Sequence, residues 1–209
     1  MTGNKLYIKI KKVKINIICL FLLLLFASIN FSVYMPVLFL CIFVHETGHV
    51  LFIKLNGIKI SSVEILPFGI NIVTENRRLT AYKTDILIAI GGPCANIIFA
   101  GVIFTAIKIT GYNSLLFFAF LTNILYAVIN LFPVKSLDGG RISEIFFKMI
   151  LPENLSFMAV SVISSVFLGI LSIFAFFILM ITGYNFTLIL LCCYLFYTIY
   201  FSPGHTIKK

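Results

Sequence analysis

Charge is what this sequence has least of. Only 11% of its 209 residues are Asp, Glu, Lys or Arg, where a soluble domain carries about a quarter. That scarcity excludes an ordinary water-exposed surface for most of the chain. Cysteine is present but carries no pattern: Cys19, Cys41, Cys94, Cys192 and Cys193 all fall in apolar runs and form no C-x-x-C pair. They read as small packing residues rather than as a disulfide framework or a thiolate metal site. No A-x-A-like site follows the first apolar run, which continues Phe26-Ala27-Ser28-Ile29-Asn30. That run therefore reads as a retained span and not as a removed signal peptide. The sequence also shows no internal repeat, no low-complexity tract and no appended soluble domain.

What is abundant is apolar residues, 61% of the chain. They come in runs of about 20, the length a helix needs to cross a bilayer. Six spans are expected: 15–34, 36–55, 86–109, 114–132, 157–181 and 185–201. The fold class expected is an all-α membrane protein, a six-transmembrane helical bundle forming a single domain over 1–209.

The net charge of +9 does not point to nucleic acid. Lys5, Lys9, Lys11, Lys12 and Lys14 precede the first apolar run. With the N-terminus inside, every Lys and Arg except Lys108 falls on the cytoplasmic side, the asymmetry of the positive-inside rule. A multi-pass membrane protein is expected, with both termini cytoplasmic and the lipid bilayer as its surroundings.

Two segments between spans are more than loops. From Ile58 to Glu75 the chain alternates as Ile58, Ile60, Val63, Ile65 and then Ile70, Ile72, with Pro67-Phe68-Gly69 between. The pattern predicts a short membrane-associated β-hairpin; the alternative is an ordinary amphipathic loop. From Leu137 to Pro152 the chain opens on Asp138-Gly139-Gly140, and a short helix is expected from about Arg141 to Ile150.

Chemistry concentrates in His45-Glu46-Thr47-Gly48-His49, an H-E-x-x-H motif inside the second expected span. Residues four apart on a helix share a face, so both imidazoles can reach one ion. Zinc takes neutral imidazole nitrogen readily, and Glu46 is placed to accept a proton from water beside it. The bland alternative is three polar residues satisfied by neighbouring helices. Ionisable residues in a membrane interior are costly, about 2.5–3.5 kcal/mol on insertion scales for a central Asp, Lys or Arg, and functional by default, which makes that alternative weak. The third histidine, His205, reads as a solvated tail residue.

A catalytic zinc usually has three protein ligands and one open position. Of the remaining acids, Glu64, Glu75, Asp85, Asp138, Glu144 and Glu153, Asp138 stands out. It follows the fourth expected span at a depth compatible with the histidines, and a carboxylate would reduce the charge of the ion. By itself Asp138 also fits a helix N-cap or a turn; beside the histidine motif the ligand role is favoured. Gly91-Gly92-Pro93-Cys94-Ala95-Asn96 interrupts the third expected span. Its small residues allow close helix approach, and Pro93 frees a backbone carbonyl. Asn96 can donate to a substrate carbonyl or brace a zinc ligand. Asn130 can hold substrate or stabilise an oxyanion, or it can make an interhelical hydrogen bond.

These stretches, with Asn130-Leu131-Phe132-Pro133 and Leu137-Asp138-Gly139-Gly140, resemble the motif order of the site-2 protease family (peptidase M50). Leu66-Pro67-Phe68-Gly69 adds a likeness to its stage IV sporulation protein FB group. The resemblance implies one Zn2+ per chain held by His45, His49 and Asp138, with Glu46 as general base of a zinc metalloendopeptidase. It implies that the Ile58–Glu75 region, with Leu66, Pro67, Phe68 and Gly69, pairs with an extended strand of a membrane-anchored protein substrate. It also implies membrane-protein inhibitors, and cleavage of a sporulation sigma factor from its tethered pro-sequence. That group commonly carries a CBS domain after the last span; none is expected here, since the sequence stops at Lys209. Other members cut anti-sigma factors or remnant signal peptides. A metal-binding membrane protein without proteolysis is the reading from a different class.

Overall fold

A computed structural model of the chain describes residues 7–10, 13–16, 33–66, 69–74, 82–183 and 186–200. Most of the first expected span, 15–34, lies outside them, as do Pro67 and Phe68. The chain divides into two compact units, Met1–Ala127 and Val128–Lys209.

In the first unit, helix α1 covers Tyr34–Leu55. Its 22 residues reach about 33 Å at about 1.5 Å per residue, enough for a hydrocarbon layer about 30 Å thick. The helix stops because Gly57 takes a left-handed φ of 68°. Gly57 N–H then donates to the Lys54 carbonyl and Ile58 N–H to that of Ile53. This 5→2 and 6→1 pair is a Schellman motif, which satisfies carbonyls the helix end would leave bare.

The chain then enters a sheet. Strands β1 (Tyr7–Ile10), β2 (Val13–Asn16), β3 (Ile60–Leu66) and β4 (Gly69–Thr74) lie in that order. β3 and β4 pair antiparallel, with Leu66 opposite Gly69, and β2 runs parallel to β3. The two strands before α1 were not expected. β2 takes up Ile15 and Asn16, the first residues of the span expected at 15–34. Their short basic alternation, Val13-Lys14-Ile15, reads as a membrane flank until β3 supplies an edge to pair with.

Helix α2 covers Tyr82–Thr110 and contains Pro93. It packs against α1 through glycine. A Cβ on Gly48 would collide with the Gly91 carbonyl and stand 2.7 Å from Ala95 Cβ; one on Gly91 would stand 2.7 Å from the Phe52 ring. Without side chains there, the two backbones approach closely, as membrane helices do at small residues. The outer side of α2 presents Ile97, Ile98, Val102 and Phe104, all exposed. Gly111 ends α2, and the Asn113 side chain accepts from the backbone N–H groups of Leu115 and Leu116 to cap helix α3, Ser114–Asn130.

The second unit holds helices α4 (Asp138–Ile150), α5 (Glu153–Thr182) and α6 (Thr187–Tyr200). α5 buries Ser156, Val160, Ser164, Leu168 and Ala175, a single face at helical spacing. Leu168 and Ala175 meet Cys192, Leu195 and Ile199 of α6, with Val134 completing the core. α1, α2 and α5 are each long and apolar enough to span a membrane; α3 and Leu188–Tyr197 are shorter apolar helices. The chain is mostly helical.

Candidate metal centre

His45 and His49 stand one turn apart on α1 and are both buried. Their rings meet edge to face, with centroids 4.7 Å apart, and their Nε2 atoms lie 3.1 Å from one another. Each ring is held from its other nitrogen. His49 Nδ1 lies 2.7 Å from the Ile88 carbonyl, which can only accept, so Nδ1 carries the proton. His45 Nδ1 lies 2.9 Å from Asn96 Oδ1, likewise an acceptor. In the neutral rings, therefore, both Nε2 atoms carry lone pairs, and the lone pairs face each other. A cation between them resolves that opposition. Two nitrogens bound to one zinc at about 2.0–2.1 Å with a tetrahedral angle stand about 3.3 Å apart, near the spacing found. The donor chemistry fits a divalent metal.

Gly92 faces the same point. A Cβ there would collide with His49 Nε2 and stand 2.6 Å from His45 Nε2. The residue at position 92 must be glycine for the imidazole nitrogens to converge. Pro93 removes the helical partner of the Ala89 carbonyl; the carbonyl that His49 uses is that of Ile88, one residue before. Tyr126 packs edge-on to His45 with centroids 5.0 Å apart and limits how far the ring can turn. Glu46 follows His45 on the helix and is half-buried.

Asn96 is fully buried, and its contacts run to His45, to the Cys41 carbonyl and to Asn123. Its amide is thus committed to bracing His45. Asn123 on α3, also fully buried, was not singled out from the sequence. The signal that could have found it is a lone amide inside an apolar run.

In the second unit, Asn130 ends α3 and is half-buried. Asp138 is the first residue of α4, which begins three residues earlier than the expected Arg141. The N-cap position belongs to Leu137, in extended conformation, so Asp138 does not serve as the cap. Gly139 and Gly140 are buried under the carbonyls of Leu131, Phe132 and Val134, where any side chain would collide. Ser164 of α5 accepts from Lys135 N–H at 2.9 Å and donates to the Pro133 carbonyl at 3.3 Å. Ser164 thus holds the middle of the segment from Asn130 to Asp138. Leu66 and Gly69 close the β3–β4 pair; Pro67 and Phe68, between them, lie outside the described residues.

A helix long enough to span a membrane that turns two tautomer-fixed imidazoles toward one point is the arrangement of a membrane metallopeptidase motif. The chain belongs to peptidase family M50, whose model matches residues 33–113 and 106–174, and it is a multi-pass membrane protein. It is similar to Zinc metalloprotease MJ0392 of Methanocaldococcus jannaschii, 34% identical over 122 residues, 54% of this chain and 35% of that protein. It is similar to Stage IV sporulation protein FB of Bacillus subtilis, 28% identical over 117 residues, 55% of this chain and 40% of that protein. The matches thus span well under two thirds of either relative. Its fold resembles the solved Site-2 Protease from Methanocaldococcus jannaschii, with TM-score 0.67, 22% identity and 93% of each chain covered.

Proposed function

We propose that this chain is a zinc-dependent intramembrane endopeptidase that cuts a membrane-anchored protein near the cytoplasmic face of the bilayer. The observation that carries the reading is the pair of facing Nε2 lone pairs, held by Asn96 and the Ile88 carbonyl over Gly92. Asp138 is the third ligand; it and the two histidines each offer one donor atom. Two imidazoles and a carboxylate leave one coordination position open, as a catalytic site requires. When bound, zinc supplies a Lewis acid that polarises the scissile carbonyl and makes nearby water acidic.

The remaining work falls to protein groups. The Glu46 carboxylate takes a proton from the attacking water and delivers it to the leaving amine. The Asn130 amide donates to the carbonyl oxygen as negative charge develops there. A substrate helix must unwind before water reaches its backbone, and unwound backbone in a membrane needs partners. β4 is an outer strand of the described sheet, which favours strand addition beside the Leu66–Gly69 turn.

The placement of Lys and Arg favours cytoplasmic termini, and the likeness to a Bacillus subtilis protein favours a bacterial cell membrane. The likeness to Stage IV sporulation protein FB favours a sporulation role, with a sigma factor pro-sequence as substrate and membrane proteins as inhibitors.

The test is co-expression with a tethered pro-sequence, read by substrate cleavage and by zinc content of the purified protein. Glu46→Gln should keep its zinc while cleavage falls about 100-fold or more. Asp138→Asn should lose zinc and cleavage together. Wild-type cleavage by the Glu46→Gln protein, or a full complement of zinc in Asp138→Asn, would overturn the roles assigned.

A further inference from the structure

We infer that Asn123 is a positioning residue for the metal centre: it fixes the orientation of the Asn96 amide and, through it, the tautomer of His45. The inference rests on the zinc-site reading of His45 and extends it to a residue one hydrogen bond beyond Asn96.

An asparagine amide presents an oxygen on one side and an NH2 on the other, and packing alone scarcely distinguishes them. Only the surrounding donors and acceptors set which way it points. At Asn96 the question matters, because the atom facing His45 Nδ1 decides where the ring proton sits. With Oδ1 toward the ring, Nδ1 is protonated and Nε2 offers its lone pair to a metal. With Nδ2 toward the ring, Nδ1 becomes the acceptor, the proton moves to Nε2, and the metal-facing nitrogen is blocked.

The orientation is set step by step from a backbone carbonyl. The Ala119 carbonyl can only accept, and the Asn123 side chain meets it at 2.8 Å, so the atom of Asn123 facing it is Nδ2. The same NH2 group reaches Cys41 Sγ at 3.0 Å. That leaves Asn123 Oδ1 directed at Asn96, 2.8 Å away, and an oxygen there requires a donor. Asn96 supplies it with Nδ2, whose second hydrogen goes to the Cys41 carbonyl at 3.1 Å. Both hydrogens of the Asn96 amide are then used, and its Oδ1 is left to accept from His45 Nδ1–H at 2.9 Å. Turning Asn96 over would oppose its oxygen to two acceptors at once. Asn96 and Asn123 are fully buried, where such an opposition is not relieved by water. The Cys41 carbonyl is one of these two acceptors; Asn123 Oδ1 is the other, and among the described residues it is the only side-chain acceptor bonded to Asn96 Nδ2.

Residues that orient a metal ligand typically change metal affinity 10–100-fold when lost. Asn123 acts one link further out, so the lower end is expected. The experiment uses full-length protein in detergent or nanodiscs, with 15N-labelled histidine and His205→Gln to remove the tail signal. In metal-free wild type, His45 should show a protonated Nδ1 and an unprotonated Nε2. In Asn123→Leu, which keeps the volume and removes the acceptor, His45 should become a mixture of tautomers while His49 stays as it was. Its zinc affinity should fall about tenfold. An unaltered His45 tautomer in Asn123→Leu overturns the inference, even if zinc affinity falls, because the loss would then be structural.

Should Asn123→Leu fail to fold, Asn123→Asp provides the second measurement. It keeps an oxygen toward Asn96, and its His45 should retain the wild-type tautomer; a mixture there counts against the inference. Absence of zinc binding by the wild type would overturn the proposed function instead, and the metal-free spectra would still decide the role of Asn123.

Discussion

At the scale of single residues, the centre is defined by what surrounds the imidazoles as much as by the imidazoles. His45 and His49 sit four apart, and the helix places them on one face. That spacing is readable in the sequence. The proton on each ring is not, because it depends on Asn96 and Ile88, which are 51 and 39 residues away along the chain. Gly92 illustrates the same limit. In the sequence it is one of several small residues that permit close packing. In the structure it is the residue whose lack of a side chain leaves the two Nε2 atoms room to converge. Gly92→Ala should therefore push the rings apart. The protein should accumulate to near wild-type amounts yet bind zinc at least tenfold more weakly, measured by competition with a chelator. Unchanged zinc affinity would show that the rings accommodate the methyl group.

At the scale of elements, the long apolar helices were legible because a membrane imposes their length and composition. The expected spans at 36–55 and 86–109 correspond to helices Tyr34–Leu55 and Tyr82–Thr110. The connection between α3 and α4 was legible only as motifs. Its shape comes in part from partly buried backbone groups that find a partner in Ser164, about thirty residues further on. Ser164→Ala removes an acceptor from Lys135 N–H and a donor from the Pro133 carbonyl. A fully buried backbone group left without its partner costs about 1–3 kcal/mol; these two are part-buried, so the loss falls toward or below the lower end. Thermal unfolding in detergent should show a lower midpoint for Ser164→Ala, with the helical content of the folded protein unchanged. An equal midpoint would mean that water or another group takes over both contacts.

At the scale of the whole molecule, the distribution of basic residues sets the expected orientation in the membrane. Lys108 lies in the last turn of α2, close over the Phe104 ring. It is the one cation assigned to the outer side. In a cysteine-free background, Tyr112→Cys, at an exposed position between α2 and α3, should react with an impermeant maleimide added to intact cells. Ile150→Cys, exposed at the end of α4, should react only after permeabilisation. The reverse labelling pattern would invert the topology and with it the face at which substrate is cut.

The sequence by itself determined the membrane setting, because runs of apolar residues are local properties that a bilayer reads directly. It determined also that His45 and His49 share a face, since helical geometry needs no knowledge of the rest of the chain. Tertiary structure alone decided that both imidazoles turn a lone pair to the same point, that Gly92 leaves room there, and that β2 joins β3 in a sheet. Those features are made by hydrogen bonds and contacts between residues tens of positions apart, and no local pattern encodes which distant acceptor a buried donor will meet.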